Sequence, residues 1–184
     1  MSIIDRLNKR EEYYRVAIAR LRRAIEAGTL GEDSEEIRSW IEGHCVGYGL
    51  DICTGDFPIG DKSIGIDGDE RKLGCHYNIS GDALTPFRNG EMDYVVTNYF
   101  DCFPNPLHTL QEWNRVLRVG GTIAFACCNA SEYESNGPEG PLTNKNRLSA
   151  FTKPVVLCLL ARAGFVEVEV TKHHKHLLVK ATKS

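Results

Sequence analysis

The sequence predicts an α/β fold: a doubly wound, mostly parallel seven-stranded sheet that ends in an antiparallel hairpin. Three observations carry that expectation. Short runs rich in β-favouring residues alternate with amphipathic segments of helix length, as in a parallel sheet covered by helices. The first two runs, residues 48–53 and 63–66, are separated by a stretch containing Gly55, Pro58 and Gly60, so the first inter-strand helix is shortened or absent. The last two, residues 166–170 and 177–179, are joined by the short polar segment 172–176, which suits a hairpin.

In chain order, Ile4, Leu7, Glu11, Tyr14, Ile18, Leu21 and Ile25 recur at steps of three and four and put a mostly apolar stripe on a long first helix. The same helix carries Arg6, Lys9, Arg10, Arg15, Arg20, Arg22 and Arg23. A solvated face is the simplest account of them, but a basic face also suits phosphate backbones, and the stripe allows a homodimer through this helix. Residues 27–31 break it. Asp33, with Glu36 three residues on, reads as a capping box opening a short helix whose apolar face is Ile37, Trp40 and Ile41. Residues 1–45 thus form a helical cap ahead of the main domain, residues 46–184.

Residues 75–80 and 92–97 read as the third and fourth strands, the latter (MDYVVT) dense in β-formers. Residues 98–106 are a loop by their prolines and asparagines, and 107–118 a helix closed by Gly120 and Gly121. Residues 122–128 form an apolar strand of the kind buried on both faces. A polar loop at 129–150 has the length at which loops in compact domains become functional. Thr152 then caps a helix through Ala163 that stops at Gly164, ahead of the hairpin.

The chain of 184 residues, 42% hydrophobic and 26% charged with a net charge of −3, fits one globular domain and has no global attraction to nucleic acid or anionic membrane. No apolar run approaches a membrane span and the N-terminus lacks a secretory pattern, so a cytoplasmic protein is expected. Seven cysteines, without CxxC pairs or zinc-ligand spacing, read as buried free thiols of a reducing compartment. His173, His174 and His176 share the hairpin turn, where a wet turn is a simpler account than a metal site.

The chemistry starts at residues 47–69. A strand, a tight turn at Thr54, Gly55 and Asp56, and a second strand ending on Asp67 form the nucleoside-binding half of a doubly wound sheet, whose ligands sit beyond the carboxyl ends of the strands. A dinucleotide site would rest its pyrophosphate on the N-terminus of a helix after the turn, and residues 57–62 are too few to build one. The expected ligand is a nucleoside without phosphates, and S-adenosylmethionine is the obvious candidate.

The succession GLDICTGDFPIG, SIGIDGDE, ISGDALTPF, MDYVVTNYFDCFPNPLHTLQEWNRVLRVGGTIAF and FTKPVVLCLLARAGFVEVEV resembles the class I S-adenosylmethionine-dependent methyltransferases, a Rossmann-like family, and leaves only the N-terminal helices outside. Its most specific part, WNRVLRVGG, is similar to the family's arginine-valine-leucine and double-glycine signature. The resemblance implies that Asp51, Cys53 and Gly55 cradle the methionine part of the cofactor, with Gly55 allowing close backbone approach. It implies that Asp67, beside Gly68, accepts hydrogen bonds from the ribose hydroxyls, that Asp82 and Ala83 meet the adenine, and that Asn98 and Tyr99 open onto the reacting methyl.

Cys53 and Phe57 stand where the family has glycine, which implies a narrower pocket, and Cys102 beside Asp101 replaces the histidine of an acid-histidine pair. Methyl transfer by in-line displacement asks the protein to align and desolvate the nucleophile and, where needed, to remove a proton. Tyr99, Asp101 and His108 are the catalytic candidates, with Tyr133 a further base, and Tyr99, Phe100 and Phe103 offer aromatic faces to the positive sulfur. No metal is expected. A chain without a separate substrate domain suits a small acceptor or one presented by a partner protein. Two other readings stay open: a non-catalytic binding or assembly module, favoured by the two missing glycines, and a nucleic-acid base methyltransferase.

Overall fold

The computed structural model describes residues 32–56, 58–69, 71–72, 74–132 and 147–184. The expected first helix, with its basic face and dimer stripe, lies outside them, as do Phe57 and Tyr133. Within them the chain runs α1 (Glu32–Glu42), β1 (Gly49–Ile52), β2 (Ser63–Ile66), β3 (Met92–Thr97), α2 (Pro106–Val116), β4 (Leu117–Cys128), α3 (Lys153–Arg162), β5 (Phe165–His173) and β6 (His176–Lys183). Single 3-10 turns at Phe100–Cys102 and Ala130–Glu132 follow β3 and β4.

The strands lie in the order β2-β1-β3-β4-β6-β5. The first four are parallel, and β6 returns antiparallel between β4 and β5. Every residue of β1 is buried, as a central parallel strand covered on both faces requires. One face packs the large core with α2 and α3, through Trp113, Leu110, Val156 and Leu160 against Ile52, Val95, Ile123 and Phe125. On the other face α1 sets Ile37 and Ile41 against Tyr94, Val96, Ala124 and Leu178. No helix among the described residues is long and apolar enough to cross a membrane. All seven cysteines are free thiols.

The described residues hold six strands instead of seven. Residues 75–80 contribute only one parallel bridge, Ile66 to Tyr77. The reason lies in how β2 satisfies its outer edge. Gly65 N–H donates to His76 Nδ1 at 2.9 Å, and its carbonyl accepts from the N–H groups of His76 and Tyr77 at 2.8 and 3.2 Å. Two loop N–H groups and one imidazole thus absorb the hydrogen bonds that a strand would take. The loop comes so close that a Cβ at Gly65 would lie 1.9 Å from the Gly74 carbonyl oxygen.

Three element boundaries differ from expectation. α1 begins at Glu32, so Asp33 stands within its first turn. α2 is not closed by Gly120 and Gly121: its C-cap Leu117 is already extended and opens β4, and Gly120 (φ 75°) bends that strand. Thr152 occupies the N-cap of α3 without a side-chain cap bond; Pro154 in the first turn presets the helical φ instead.

Between β2 and β3 no described residue is helical, and α2 holds this irregular segment. Trp113 Nε1 donates to the Gly81 carbonyl at 2.7 Å, and Glu112 Oε1 accepts from Leu84 N–H at 2.9 Å. Arg115 pairs with Glu112 at 2.7 Å and donates to the carbonyls of Leu84 and Phe87 and to Asn89 Oδ1 at 3.0, 2.8 and 2.9 Å. The tryptophan and arginine of the signature thus supply donors that this segment lacks. Arg115→Leu keeps the stem and removes the fork. Two half-buried carbonyls and the Glu112 carboxylate lose charge-assisted partners, so urea unfolding should show a loss of about 2–3 kcal/mol; an unchanged midpoint would contradict this role.

Candidate functional site

The carboxyl ends of β1, β2, β3 and β4 open together on a cavity of about 810 Å³, lined by Cys53, Gly55, Asp67, Asn98, Tyr99 and Asp101 among others. Its size is ordinary for a small-molecule site. The corner between β1 and β2 is built on one buried carboxylate. Asp51, 1% exposed, accepts from Thr54 Oγ1 at 2.8 Å and from Ile59 N–H at 2.7 Å, both on Oδ2. These two bonds draw Thr54 and Ile59 back onto the end of β1. Cys53 (φ 57°) and Gly55 (φ 61°) take left-handed backbone there. The Cys53 position takes a positive φ, which glycine adopts freely and cysteine at a cost of about 1–2 kcal/mol.

The turn aims Gly55 N–H at Asp67 Oδ2, 2.9 Å away, while Asp67 Oδ1 accepts from Asp69 N–H at 2.9 Å. A Cβ on Gly55 would meet nothing within 4 Å, so the backbone there faces open space. No helix lies between β1 and β2 among the described residues, so none of them offers an N-terminal dipole to a phosphate at this corner.

On the far wall, Thr97 Oγ1 accepts from Tyr99 N–H at 3.0 Å and turns the chain after β3. The 3-10 turn then buries Phe100 and Asp101. Phe100 stacks within the core on Phe125, ring centroids 4.3 Å apart, so it faces the core and not the cavity. Asp101 pairs with Arg147 at 3.0 Å, and its carbonyl accepts from Leu148 and Ser149 N–H at 2.8 and 3.1 Å. Burial raises the Asp101 carboxyl above its ordinary value, with Arg147 opposing. Tyr99 is 51% exposed as a residue, yet desolvation raises its phenol further, assisted by the nearby thiols. Burial pushes the Cys53 thiol up to about 12 and Cys102 up to about 11, and raises Cys127 well above its usual value. Desolvation thus favours the neutral thiol form of these cavity cysteines.

The structure brings Cys53, Gly55, Asp67, Asn98, Tyr99 and Asp101 to one cavity, with Asp51 directly behind. Other expected residues lie outside this lining. Asp82 is engaged by the Ser80 hydroxyl, and Gly68 and Ala83 are exposed. His108 is exposed in the first turn of α2, where its backbone N–H donates to the Asn105 cap at 3.2 Å. The sequence reading missed Ile37, Lys72, Arg147 and His176 as lining residues. Arg147 lay in a loop with no periodicity, and His176 was read as turn surface although it opens β6 opposite Cys128.

A strand-end acid and an open glycine turn beside a cavity at the carboxyl ends of parallel strands stand where doubly wound α/β proteins place their ligands. Residues 43–125 match the family model of the methyltransferase domain. Solved structures agree in fold. A SAM-dependent methyltransferase from Thermotoga maritima, described as a possible histamine N-methyltransferase, superposes with TM-score 0.67 at 19% identity over 94% of this chain and 99% of its own. Phosphoethanolamine N-methyltransferase 2 of Haemonchus contortus, in complex with S-adenosyl-L-methionine, gives TM-score 0.64 at 10% identity over 81% of this chain and 52% of its own. A methyltransferase from Haloferax volcanii, in complex with the Trm112 methyltransferase activator, gives 0.56 at 16% identity over 82% and 88%. No curated protein matches the chain. Residues 43–125 are thus similar to a methyltransferase domain, in a fold shared with S-adenosylmethionine-dependent methyltransferases.

Burial pushes the Asp51 carboxyl up to about 7, against the bonds from Ile59 and Thr54 that favour its ionised form. Between the ordinary carboxylate value and about 7 the folded chain therefore holds a proton that the unfolded chain has lost. Stability should fall as pH rises through this window, by up to about 1.4 kcal/mol per pH unit. Both protein bonds reach the same oxygen, so Asp51→Asn can keep them through its amide oxygen. Melting temperature measured from pH 4 to pH 8 should lose this decline in the variant, and an identical decline in both proteins would refute the assignment.

Proposed function

We propose that the chain transfers the methyl group of S-adenosylmethionine to a small or partner-presented acceptor bound in the cavity at the strand ends. The observation that carries this reading is the Asp67 carboxylate: it stands at the carboxyl end of β2, lines the cavity and is oriented by two backbone N–H groups. Those bonds occupy two of its roughly four lone-pair sites, and the rest suit a pair of ribose hydroxyls. The open face of Gly55 admits close approach of the amino-acid end of the cofactor.

S-adenosylmethionine, the family's cofactor, supplies a methyl group already activated on a sulfonium. Asn98 and Tyr99 border the cavity beyond β3 and help orient what lies there. Asp101, buried and raised in pKa, is the group best placed to take a proton from the acceptor, with Arg147 steadying its ionised form. The neutral thiols of Cys53, Cys102 and Cys127 exclude water without presenting a competing nucleophile. The N-terminal residues act as a cap, of which α1 contributes Ile37 to the cavity wall. The Haloferax complex with an activator supports a partner-assisted alternative to a free small acceptor.

Binding is tested by thermal shift. Millimolar S-adenosylmethionine should raise the melting temperature of the wild-type chain, and Asp67→Ala should weaken binding about tenfold to a hundredfold, the cost of losing charge-assisted hydrogen bonds. No shift in the wild-type chain would leave a methyltransferase-like binding module as the better account.

Catalysis is tested separately, with amine and hydroxyl acceptors and detection of the demethylated product. Asp101→Asn should lower kcat by about a hundredfold while leaving the cofactor-induced thermal shift intact. Equal activity of variant and wild type would remove Asp101 from the mechanism.

A further inference from the structure

We propose that the chain has a second site, for a divalent transition-metal ion of zinc-like ligand preference, formed by Glu36 of α1 with His173 and His174 at the β5–β6 turn. One ligand atom from each residue lies within 4.8 Å of the other two. His173 Nε2 and Glu36 Oε2 stand 3.2 Å apart. Yet this buried imidazole nitrogen has no partner in hydrogen-bonding geometry, so the carboxylate is beside it without lying on the line of an N–H bond. Two ligands bound to one tetrahedral zinc at about 2.0–2.1 Å stand about 3.3 Å apart. The 3.2 Å spacing, also that of an ordinary ion pair, is compatible with two ligands sharing an ion.

The backbone supplies an independent observation. His173 pairs with His176 across the hairpin, leaving His174 and Lys175 as its two-residue tip. His174 takes a left-handed conformation, φ 48°, at a position where asparagine or glycine would relieve the strain. That conformation brings the two imidazoles together edge to face, ring centroids 4.6 Å apart. Strain of this kind persists where the surroundings fix a side chain for use. The adjacent Lys172 is drawn away by its ion pair with Glu132 at 2.8 Å, which lowers the positive charge next to the imidazoles.

Two imidazoles and one carboxylate select zinc, nickel or cobalt over magnesium and calcium, which take oxygen ligands. Three protein ligands leave a coordination position for water. The ion would tie α1 to the hairpin. Ile37, next to Glu36, and His176, two residues beyond His174, both line the cavity described above, so the clamp would brace two of its walls. This inference does not depend on methyl transfer.

The test uses the untagged full chain, with cobalt as a spectroscopic probe and zinc in thermal shift. The wild-type chain should bind one equivalent of cobalt, showing visible d–d bands without the near-ultraviolet sulfur-to-cobalt charge transfer that any of the seven thiols would give. Zinc should raise its melting temperature. His174→Gln and Glu36→Gln, both at exposed positions, should weaken cobalt binding about 10-fold to 100-fold, as loss of a coordinating or supporting group does, without changing the melting temperature of the metal-free chain. Absence of cobalt binding, a sulfur charge-transfer band, or bands that survive both substitutions would overturn the proposal.

Discussion

Asp51 is the constraint on which the cavity depends. A carboxylate at the end of a central, fully buried strand is costly, and the chain uses it to tie Thr54 and Ile59 to the strand end. Its Oδ2 gathers the Thr54 hydroxyl and the Ile59 N–H. The turn so formed gives Gly55 its orientation, and Gly55 in turn orients Asp67. One desolvated oxygen therefore positions, through two steps of hydrogen bonding, the acid that faces the cavity.

The opposite wall follows a different logic. There the chain is held by apolar packing first: Phe100 and Phe103 after β3 lock into the cluster around Trp113 and Phe125. Only the groups between and beside them are left to the cavity. Asp101 is buried but stays paired with Arg147, so its charge is compensated from a segment nearly fifty residues downstream. The thiols around it are raised by the same desolvation and remain neutral. The site thus offers the Asp67 carboxylate on one side and the Arg147-paired Asp101 carboxylate on the other.

α2 connects these halves. Its Trp113 indole donates to the Gly81 carbonyl while the ring packs between Phe100, Phe103 and Phe125. Its Arg115 and Glu112 hold residues 84–89. A Cβ at Gly81 would lie 2.1 Å from the Ile52 side chain, so the segment carried by α2 passes directly over the end of β1. The sequence signature that most strongly marks the family is, in physical terms, the set of donors that secures a segment without secondary structure of its own.

By itself the sequence determined the parallel strands, the returning hairpin, the missing first crossover helix and the pairing of a glycine turn with Asp67. These are local features: apolar runs, turn residues and short spacings dictate backbone conformation before any tertiary contact forms. The resemblance to methyltransferase motifs also singled out Asp51, Cys53, Gly55, Asn98, Tyr99 and Asp101, which lie at or just beyond the ends of β1 and β3. Tertiary structure alone decided the rest. Residues 75–80 looked like a strand, but His76 and Tyr77 satisfy the edge of β2 with a single bridge. Arg147, Ile37 and His176 reach the cavity from distant segments, and Glu36 meets His173 across more than a hundred residues. Proximity of that kind is set by how sheet and helices pack, and spacing along the chain carries no record of it.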